Sequence, residues 1–451
     1  MSSPGTPGEE NVKSAHRSNL QFLLRSAAAL VSTSIVTSGL GFIYWAVAAR
    51  TFPATDVGES VTAIAAMSLI APFTVLGLGT VLVTRLPTMR GGRAELVSTA
   101  LLLTGVVGAG VALVCAFALP SDFLGLPGIG RDVGITAIFV AAVATQSMGY
   151  LFDMALLSLV GGGMQLGRNT THAIVKLVVL LATAVTLGRF GSVVIVAGWL
   201  VANVVSILVM TTVLMRRNRV PLRRMLPRPS ALRGIHVAAA QHHMLNIALF
   251  TPFFAMPILA NVILGSEQAA YLYATWSVAG FLFYVPIAMA TALFASGARD
   301  SGTFLMEFRF TLRYSLLICT AANLAILLLG FWVLRIFGDA YAVNGRTALT
   351  LMCLGGFGLI IKDHHVALAR VIGTVGREAI LIGALGVGEL VGAGIGAARG
   401  GLTGLGLGWL AAVGLGAVVC GPFVWRAYRG RLDIPRLSRT GGQGDTIETG
   451  Q

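Results

Sequence analysis

The sequence is poor in charged residues, and this scarcity sets the class of protein. Only 11% of its 451 residues are charged, whereas 56% are hydrophobic, and the mean hydropathy is +0.83. A typical soluble domain carries about 25% charged residues, because most of its surface faces water. Most of the surface of this chain therefore cannot face water, and lipid must cover that part.

Cysteine is also scarce. The four cysteines all fall inside apolar stretches, and none belongs to a CxxC motif or a Cys/His cluster: Cys115, Cys319, Cys353 and Cys420. This pattern is typical of small buried side chains, so neither a disulfide nor a metal site is expected. The Walker sequence GxxxxGK[ST] is missing as well, which argues against ATP hydrolysis as an energy source. No cofactor is expected.

Both ends of the chain are polar. Residues 1–19 contain Pro4, Pro7 and two acidic residues but no apolar core, so a cleavable signal peptide is not expected. The segment 428–451 is rich in Gly, Thr and Arg. We interpret 1–19 and 428–451 as disordered cytoplasmic tails.

Long apolar stretches recur between these tails, and many reach the 18 residues that a helix needs to cross the hydrocarbon core. The alternating ten-residue strands of a membrane β-barrel are missing. The sequence therefore predicts an all-α integral membrane protein of about twelve transmembrane helices. The predicted spans lie near 26–49, 60–84, 96–119, 134–160, 170–188, 191–215, 236–263, 269–296, 311–336, 347–370, 378–398 and 402–425.

Basic residues alternate between the two sides of these spans. Of the 32 Lys and Arg residues, we assign 25 to the termini and the even-numbered loops and 6 to the odd-numbered loops, while Lys362 alone lies within a span. Arg168 and Lys176 are assigned to the fourth loop in this count. The positive-inside rule then places the even loops and both termini in the cytoplasm, as expected for a multi-pass protein of the cell membrane. The net charge of +14 thus reflects topology and contact with membrane lipid, and nucleic acid is not an expected partner.

A shift of 212 residues places the second half of the chain over the first. In both halves a short acidic turn follows a span, and the next span is interrupted by a proline, Pro72 or Pro286. The repeat predicts two six-helix lobes, 20–215 and 236–427, joined by a basic cytoplasmic linker, 216–235. Parallel repeats of this kind typically form transporters with a central cavity. The two prolines are candidate hinges, although prolines are common in membrane helices in any case.

Three segments carry a family resemblance. They are SGLGFIYWAVAARTFPATDVGESVTAIAAMSLIAPFTVLGLGTVLVTRLP, HHMLNIALFTPFFAMPILANVILGSEQAAYLYATWSVAGFLFYVPIAMATALFASGARD and FGDAYAVNGRTALTLMCLGG. They resemble the polysaccharide and oligosaccharide flippases of the multidrug/oligosaccharidyl-lipid/polysaccharide (MOP) exporter superfamily. The resemblance implies a V-shaped pair of lobes that open alternately to either side. It also implies a substrate in which a glycan is linked to a polyprenyl pyrophosphate whose lipid tail stays in the bilayer.

Such a substrate needs cations where its pyrophosphate crosses, and charged residues inside spans are the candidates. Lys362 lies in span ten, about 12 Å inside the cytoplasmic end at 1.5 Å per residue, and is the first candidate for phosphate binding. The alternative is that Lys362 snorkels or pairs locally with a neighbouring helix. His242 and His243 in span seven are candidates for phosphate or sugar binding, or else they make interhelical hydrogen bonds. Arg25 opens span one as a gate charge or an interface anchor.

Carboxylates inside spans are candidates for ion coupling. Asp363 follows Lys362 in span ten, while Asp153 in span four and Glu389 in span eleven are isolated in the sequence. Each could carry a coupling proton or sodium ion, and Asp153 or Glu389 could instead pair with a basic group or remain a neutral acid.

Two departures from relatives bear on the substrate. The lipid II flippase branch carries several arginines in its first and seventh helices, where this chain has only Arg25 and histidines. The drug and cation exporter branch has an acidic residue in its first helix, and none lies between Arg25 and Arg50. The leading expectation is therefore a flippase for a lipid-linked oligosaccharide or polysaccharide precursor, working beside glycan-assembly enzymes. A cation-coupled multidrug exporter is the alternative.

Two further classes are weaker. A membrane-embedded glycan ligase or glycosyltransferase usually needs a long external loop with catalytic groups, and the odd loops here are short. We therefore predict a transporter rather than an enzyme. A structural partner in a glycan-assembly complex is the remaining alternative, which reconstituted transport would exclude.

Overall fold

A computed structural model gives the structure of residues 38–89, 91–187, 191–218, 226–229, 240–297 and 304–432. Within these ranges the chain is helical with no β-strand. Arg25, the first tail, the second tail beyond residue 432 and most of the predicted linker lie outside the described residues. The helices are α1 (38–51), α2 (Ala54–Thr74), α3 (Leu78–Arg85), α4 (Arg93–Ala118), α5 (Ser121–Leu124), α6 (Val133–Val160), α7 (Gly162–Leu187), α8 (Ser192–Asn218), α9 (Ala240–Leu264), α10 (Ser266–Gly297), α11 (Phe304–Arg335), α12 (Asp339–Ile372) and α13 (Val375–Tyr428).

These helices cover the predicted membrane spans. Nine of the helices in the described ranges are long and apolar enough to cross a bilayer. One of the nine, α13, has 54 residues and therefore supplies two crossings. The first predicted span is described only from residue 38, and α7 is less apolar because it carries several polar residues. The prediction of about twelve spans agrees with this arrangement.

One predicted boundary was placed wrongly. Span 60–84 is not one helix, because the chain breaks after Thr74 at Leu76 and Gly77, whose φ angles are 52° and 75°. Spans 378–398 and 402–425 are two helical segments, because the backbone between them is not helical at Gly400 and Gly401. The two segments carry the one label α13. Glycine tolerates such angles without a steric penalty, so the reversal between the two crossings needs no longer connection.

The outer surface is apolar, as lipid contact requires. The helix α11 is the clearest example, since Leu317, Leu324, Leu328 and Trp332 are all exposed, with Leu328 76% accessible. An exposed apolar surface of this extent marks a membrane-facing region in a chain of this composition.

The helices form two lobes that follow the predicted repeat. Helices α2 to α8 pack chiefly on one another, as do α9 to α13, and α2 makes the main contacts between the groups by lying against α9 and α10. The glycines that end α6 and α12, Gly161 and Gly373, are 212 positions apart and have φ angles of 90° and 88°. Their ψ angles differ, at 177° and 16°, so the two glycines share their place after a helix and a positive φ but not the full backbone conformation.

The lobes meet at one end of the molecule, which we call the odd-loop face because the odd-numbered loops lie there. The side-chain amide of Asn261 donates to the Asp122 carbonyl over 2.6 Å. The Arg50 guanidinium donates to the carbonyls of Ile336 and Arg335 over 2.7 and 2.8 Å. These bonds join the first lobe to the second at that face.

Candidate functional site

The second lobe contains a cavity of about 270 Å³ that is lined by α9, α10, α12 and α13. Its charged lining residues are Lys362, Asp363 and Glu389. The remaining wall is largely aromatic: Phe250, Phe253, Phe254, Trp276, Phe283, Tyr284 and Trp409. Three of the residues that the sequence singled out therefore come together in one chamber.

Lys362 is paired within this chamber. Its Nζ atom lies 2.6 Å from Oε1 of Glu389, and the two side chains are 9% and 5% exposed. The structure thus contains the alternative named for each residue, a local pairing of Lys362 with a neighbouring helix and of Glu389 with a basic group. A buried ion pair of this kind has no net charge, and each ion depends on the other because an unpaired charge buried here would be costly.

Asp363 lies between two cavities. It lines the main chamber and also a smaller one of about 120 Å³ that reaches Asn246 and Arg370. There the Arg370 guanidinium donates to the Asn246 side-chain oxygen over 3.0 Å. Asp363 is therefore shared by the chamber and the smaller cavity at the end of α12.

The histidines of span ten are hydrogen-bonded inside the second lobe. Nδ1 of His364 lies 2.9 Å from the Ile360 carbonyl one turn earlier, and Nε2 of His365 lies 2.7 Å from the Glu378 carboxylate on α13. His242 and His243 belong to α9, but their side chains lie outside the described residues. Among the residues that are described, no three His, Cys, Asp or Glu side chains are placed to hold a metal ion.

The first lobe has a buried ion pair of its own. The Arg168 guanidinium on α7 lies 3.0 Å from the Asp153 carboxylate on α6. Gly149 makes room for it, because a Cβ atom there would lie 2.5 Å from Nη1 of Arg168. Asp153 is therefore not isolated, and the assignment of Arg168 to a loop is wrong.

Lys176 was misassigned in the same way. It is 5% exposed inside α7, so Lys362 is not the one lysine within a span. Its Nζ atom lies 4.0 Å from the ring centre of Trp199 and 4.6 Å from that of Tyr44. The positions of Arg168, His172 and Lys176, each four residues after the last, place all three on one helix face. That spacing is the sequence signal that the loop assignment overlooked.

Amide side chains adjoin the aromatic cluster that Tyr44 and Trp199 form around Lys176. The oxygen of Gln146 accepts hydrogen bonds from the Trp199 indole over 3.1 Å and from the Asn203 amide over 2.9 Å. On the other side, Trp45 packs edge-on against Tyr273 of α10, with ring centres 4.9 Å apart. The cluster thus extends to the boundary between the lobes.

The two candidate hinge prolines sit in different surroundings. Pro72 lies two residues before the end of α2 and close to the break at Leu76 and Gly77. Pro286 lies inside the uninterrupted α10 and lines no part of a break. Their role as hinges stays a prediction.

Solved structures share this fold. An inward-facing conformation of a multidrug resistance MATE family transporter of the MOP superfamily has a TM-score of 0.70 at 15% identity, covering 90% of this chain and 99% of that one. An outward-facing conformation of such a transporter gives 0.62 at 17% identity, covering 92% and 96%. A MOP superfamily transporter from Pyrococcus furiosus, described as having a binding pocket of reverse polarity, gives 0.63 at 14% identity, with the same coverage.

Comparison of sequences identifies no family for this chain. No protein-family model matches the chain, and no curated protein is significantly similar to it. The chain thus has the two-lobed fold of the MATE transporters, and identities this low establish the fold alone.

Proposed function

We propose that this protein is a transporter that carries a lipid-linked oligosaccharide or polysaccharide precursor across the cytoplasmic membrane by alternating access. One observation carries the proposal: the two lobes are joined at the odd-loop face, while a chamber with buried charges lies in the second lobe. Lobes that meet at one end are what one half of an alternating-access cycle requires, and the chamber offers a substrate buried charged and aromatic groups. The higher TM-score with the inward-facing relative agrees with this state.

The chamber suits an amphiphile with a polar head. Aromatic rings line most of it, and such rings stack on the apolar faces of sugars, while Lys362 supplies a cation for phosphate once Glu389 is displaced or protonated. An apolar cleft of about 470 Å³ lies outside the chamber, between α1 and the pair α10 and α11, lined in part by Phe42, Phe281 and Ile318. A polyprenyl tail fits such a cleft, because it would stay in contact with lipid.

A cation-coupled multidrug exporter is the second candidate. The same chamber holds two carboxylates, Asp363 and Glu389, against one lysine, and its many aromatic rings suit a cationic, partly apolar drug. Two of the structures of similar fold are multidrug resistance transporters. The first candidate is preferred because the sequence of α1 and α9 resembles the flippases, and because α1 lacks an acidic residue.

Energy for either cycle would come from an ion gradient. Asp363 is our first candidate for carrying a proton or sodium ion, because it lines both cavities. Glu389 is the second, because a proton on it would free Lys362, whereas Asp153 is held by Arg168 outside the chamber. We also propose that both termini are cytoplasmic, as the distribution of basic residues predicts, and that glycan-assembly enzymes supply the substrate.

Reconstitution distinguishes the two candidates. Purified protein in liposomes would be given a fluorescent lipid-linked oligosaccharide in one set and a fluorescent cationic drug in another. The flippase proposal predicts that the sugar becomes accessible to a lectin on the far side, in a protein-dependent way, while the drug does not accumulate. Drug uptake without movement of the sugar would overturn the proposal in favour of the exporter.

A further inference from the structure

One face of α7 presents three basic side chains to the interior of the first lobe. Arg168, His172 and Lys176 are 6%, 9% and 5% exposed, so all three are more than nine-tenths buried. Arg168 has Asp153 as a counter-ion. His172 packs its ring edge-on against Trp199, with centres 5.1 Å apart.

Lys176 differs from Arg168 and Lys362, because it has aromatic rings but no anion. Within the described part of the chain, its ammonium group has no carboxylate and no hydrogen-bond acceptor, and it lies over the faces of Tyr44 and Trp199. Cation–π contacts recover part of the lost hydration of a buried cation, yet they leave its N–H groups unpaired.

Other polar atoms around Lys176 also lack partners. The Tyr44 hydroxyl, Nε2 of His172 and Nη1 of Arg168 are buried with no hydrogen bond. Buried polar groups are nearly always hydrogen-bonded, so several unpaired ones in one place call for an explanation. A ligand that brings several oxygen atoms would satisfy the donors together.

We propose that Lys176 and its neighbours bind the phosphate oxyanion of the transported molecule from the first lobe, with Lys176 as the principal charge there. The inference deepens the proposed function and rests on it, since it adds a first-lobe contact for the pyrophosphate group to the one that Lys362 offers in the second lobe. The rings of Tyr44 and Trp199 and the amides of Gln146 and Asn203 then stand beside the first sugar. Gln146 and Trp199 are only partly buried, so the site reaches the surface of the lobe.

Binding measurements on the purified full-length protein test this assignment. The probes are farnesyl pyrophosphate, farnesol, inorganic pyrophosphate, glucuronate and phosphatidylglycerol in detergent, with affinity followed by calorimetry. Lys176→Met removes the charge at similar length, Lys176→Arg keeps it, and Arg131→Met removes one exposed charge at the odd-loop face as the matched control. Lys176→Gln replaces Lys176→Met if that variant does not purify as a folded monodisperse protein.

The expected pattern is specific. Farnesyl pyrophosphate binds, farnesol does not, and Lys176→Met raises the dissociation constant by about tenfold or more, as the loss of one charge-assisted contact implies. Lys176→Arg stays within about threefold, because its guanidinium also binds phosphate, and Arg131→Met has no effect. An unchanged dissociation constant in Lys176→Met overturns the assignment. Equal competition by glucuronate or by phosphatidylglycerol also overturns it, since the site would then read a sugar carboxylate or a lipid headgroup.

Transport separates this inference from the function on which it rests. If liposomes move the lipid-linked oligosaccharide equally well with Lys176→Met, the flippase function stands and the Lys176 site fails. If binding of farnesyl pyrophosphate depends on Lys176 but no oligosaccharide moves, the site stands and the proposed substrate fails.

Discussion

The Lys362 ammonium lies 2.6 Å from the Glu389 carboxylate, and this pair joins α12 to α13 inside a chamber that is otherwise largely aromatic. The pairing makes the affinity of Lys362 for an anionic ligand depend on the state of Glu389. A proton on Glu389 would release the lysine, and a charged Glu389 would hold it. This one contact thus links Glu389, a candidate for carrying a proton or cation, to Lys362, a candidate for binding the substrate.

The stability of the lobe should depend on this pair. Lys362→Met leaves Glu389 buried without a counter-ion, so we expect the free energy of unfolding to fall by about 3–5 kcal/mol. Lys362→Met combined with Glu389→Leu removes both charges and should recover most of that loss. Thermal unfolding in detergent measures both variants. Equal destabilisation by the double variant would contradict the role of the pair.

Ion dependence of transport should change when Glu389 is made permanently neutral. Glu389→Gln mimics the protonated acid and leaves Lys362 free, so we expect substrate exchange to continue while the stimulation by an imposed proton gradient is lost. Asp363→Asn should lose the same stimulation if Asp363 takes part in the ion path. Liposomes with and without a pH difference give the measurement, and Asp132→Asn, on the odd-loop side, is the control. Full gradient stimulation in both variants would exclude these carboxylates from coupling.

The ion pair in the first lobe depends on a glycine. A Cβ atom at Gly149 would lie 2.5 Å from Nη1 of Arg168, so Gly149→Ala forces the guanidinium away from Asp153. We expect a loss of about 1–3 kcal/mol from overpacking. At Gly110 nothing lies within 4 Å of the added atom, so Gly110→Ala should be neutral or stabilise α4 by up to about 1 kcal/mol. Thermal unfolding of the two alanine variants compares them directly.

Closure of the odd-loop face should be sensitive to Gly58. Its added Cβ atom would overlap the backbone carbonyl of Ser266 in the other lobe. Gly58→Val should therefore hold the lobes apart at this end and widen the distance between spin labels at Arg131 and Asn344, which are both exposed. Gly39→Ala, where nothing lies within 4 Å, is the control. An unchanged distance distribution in Gly58→Val would mean that this contact does not set the closed state.

The fold was largely predictable, because its main signals are local. Apolar runs of sufficient length and the alternation of basic loops gave the number of spans, and the repeated proline and acidic turn gave the two halves. The break inside the second predicted span was harder to foresee. A bilayer-length apolar run does not reveal that Leu76 and Gly77 take positive φ angles, whereas the break at Gly400 and Gly401 lies between two predicted spans.

The site was predictable only in part. Lys362 stood out because a charge inside an apolar run is costly and needs a reason. Its partner could not be found, since Glu389 is 27 residues away on another helix and no pattern links the two. Lys176 was overlooked because counting basic residues by side assigned it to a loop. The helical spacing from Arg168 through His172 to Lys176 was present and would have placed it inside the lobe.

Access to the chamber from both sides of the membrane is the most direct test. Gly280 lines the cavity, and nothing lies within 4 Å of an added Cβ atom there, so Gly280→Cys can be placed in a chain whose four native cysteines are replaced by alanine. A membrane-impermeant thiol reagent is then added to only one side of sealed vesicles, and the labelled fraction is measured for each side. The account predicts labelling from either side, with the side facing the odd loops suppressed when the lobes are cross-linked at that face. Labelling from one side alone, with or without the cross-link, would contradict an alternating-access chamber.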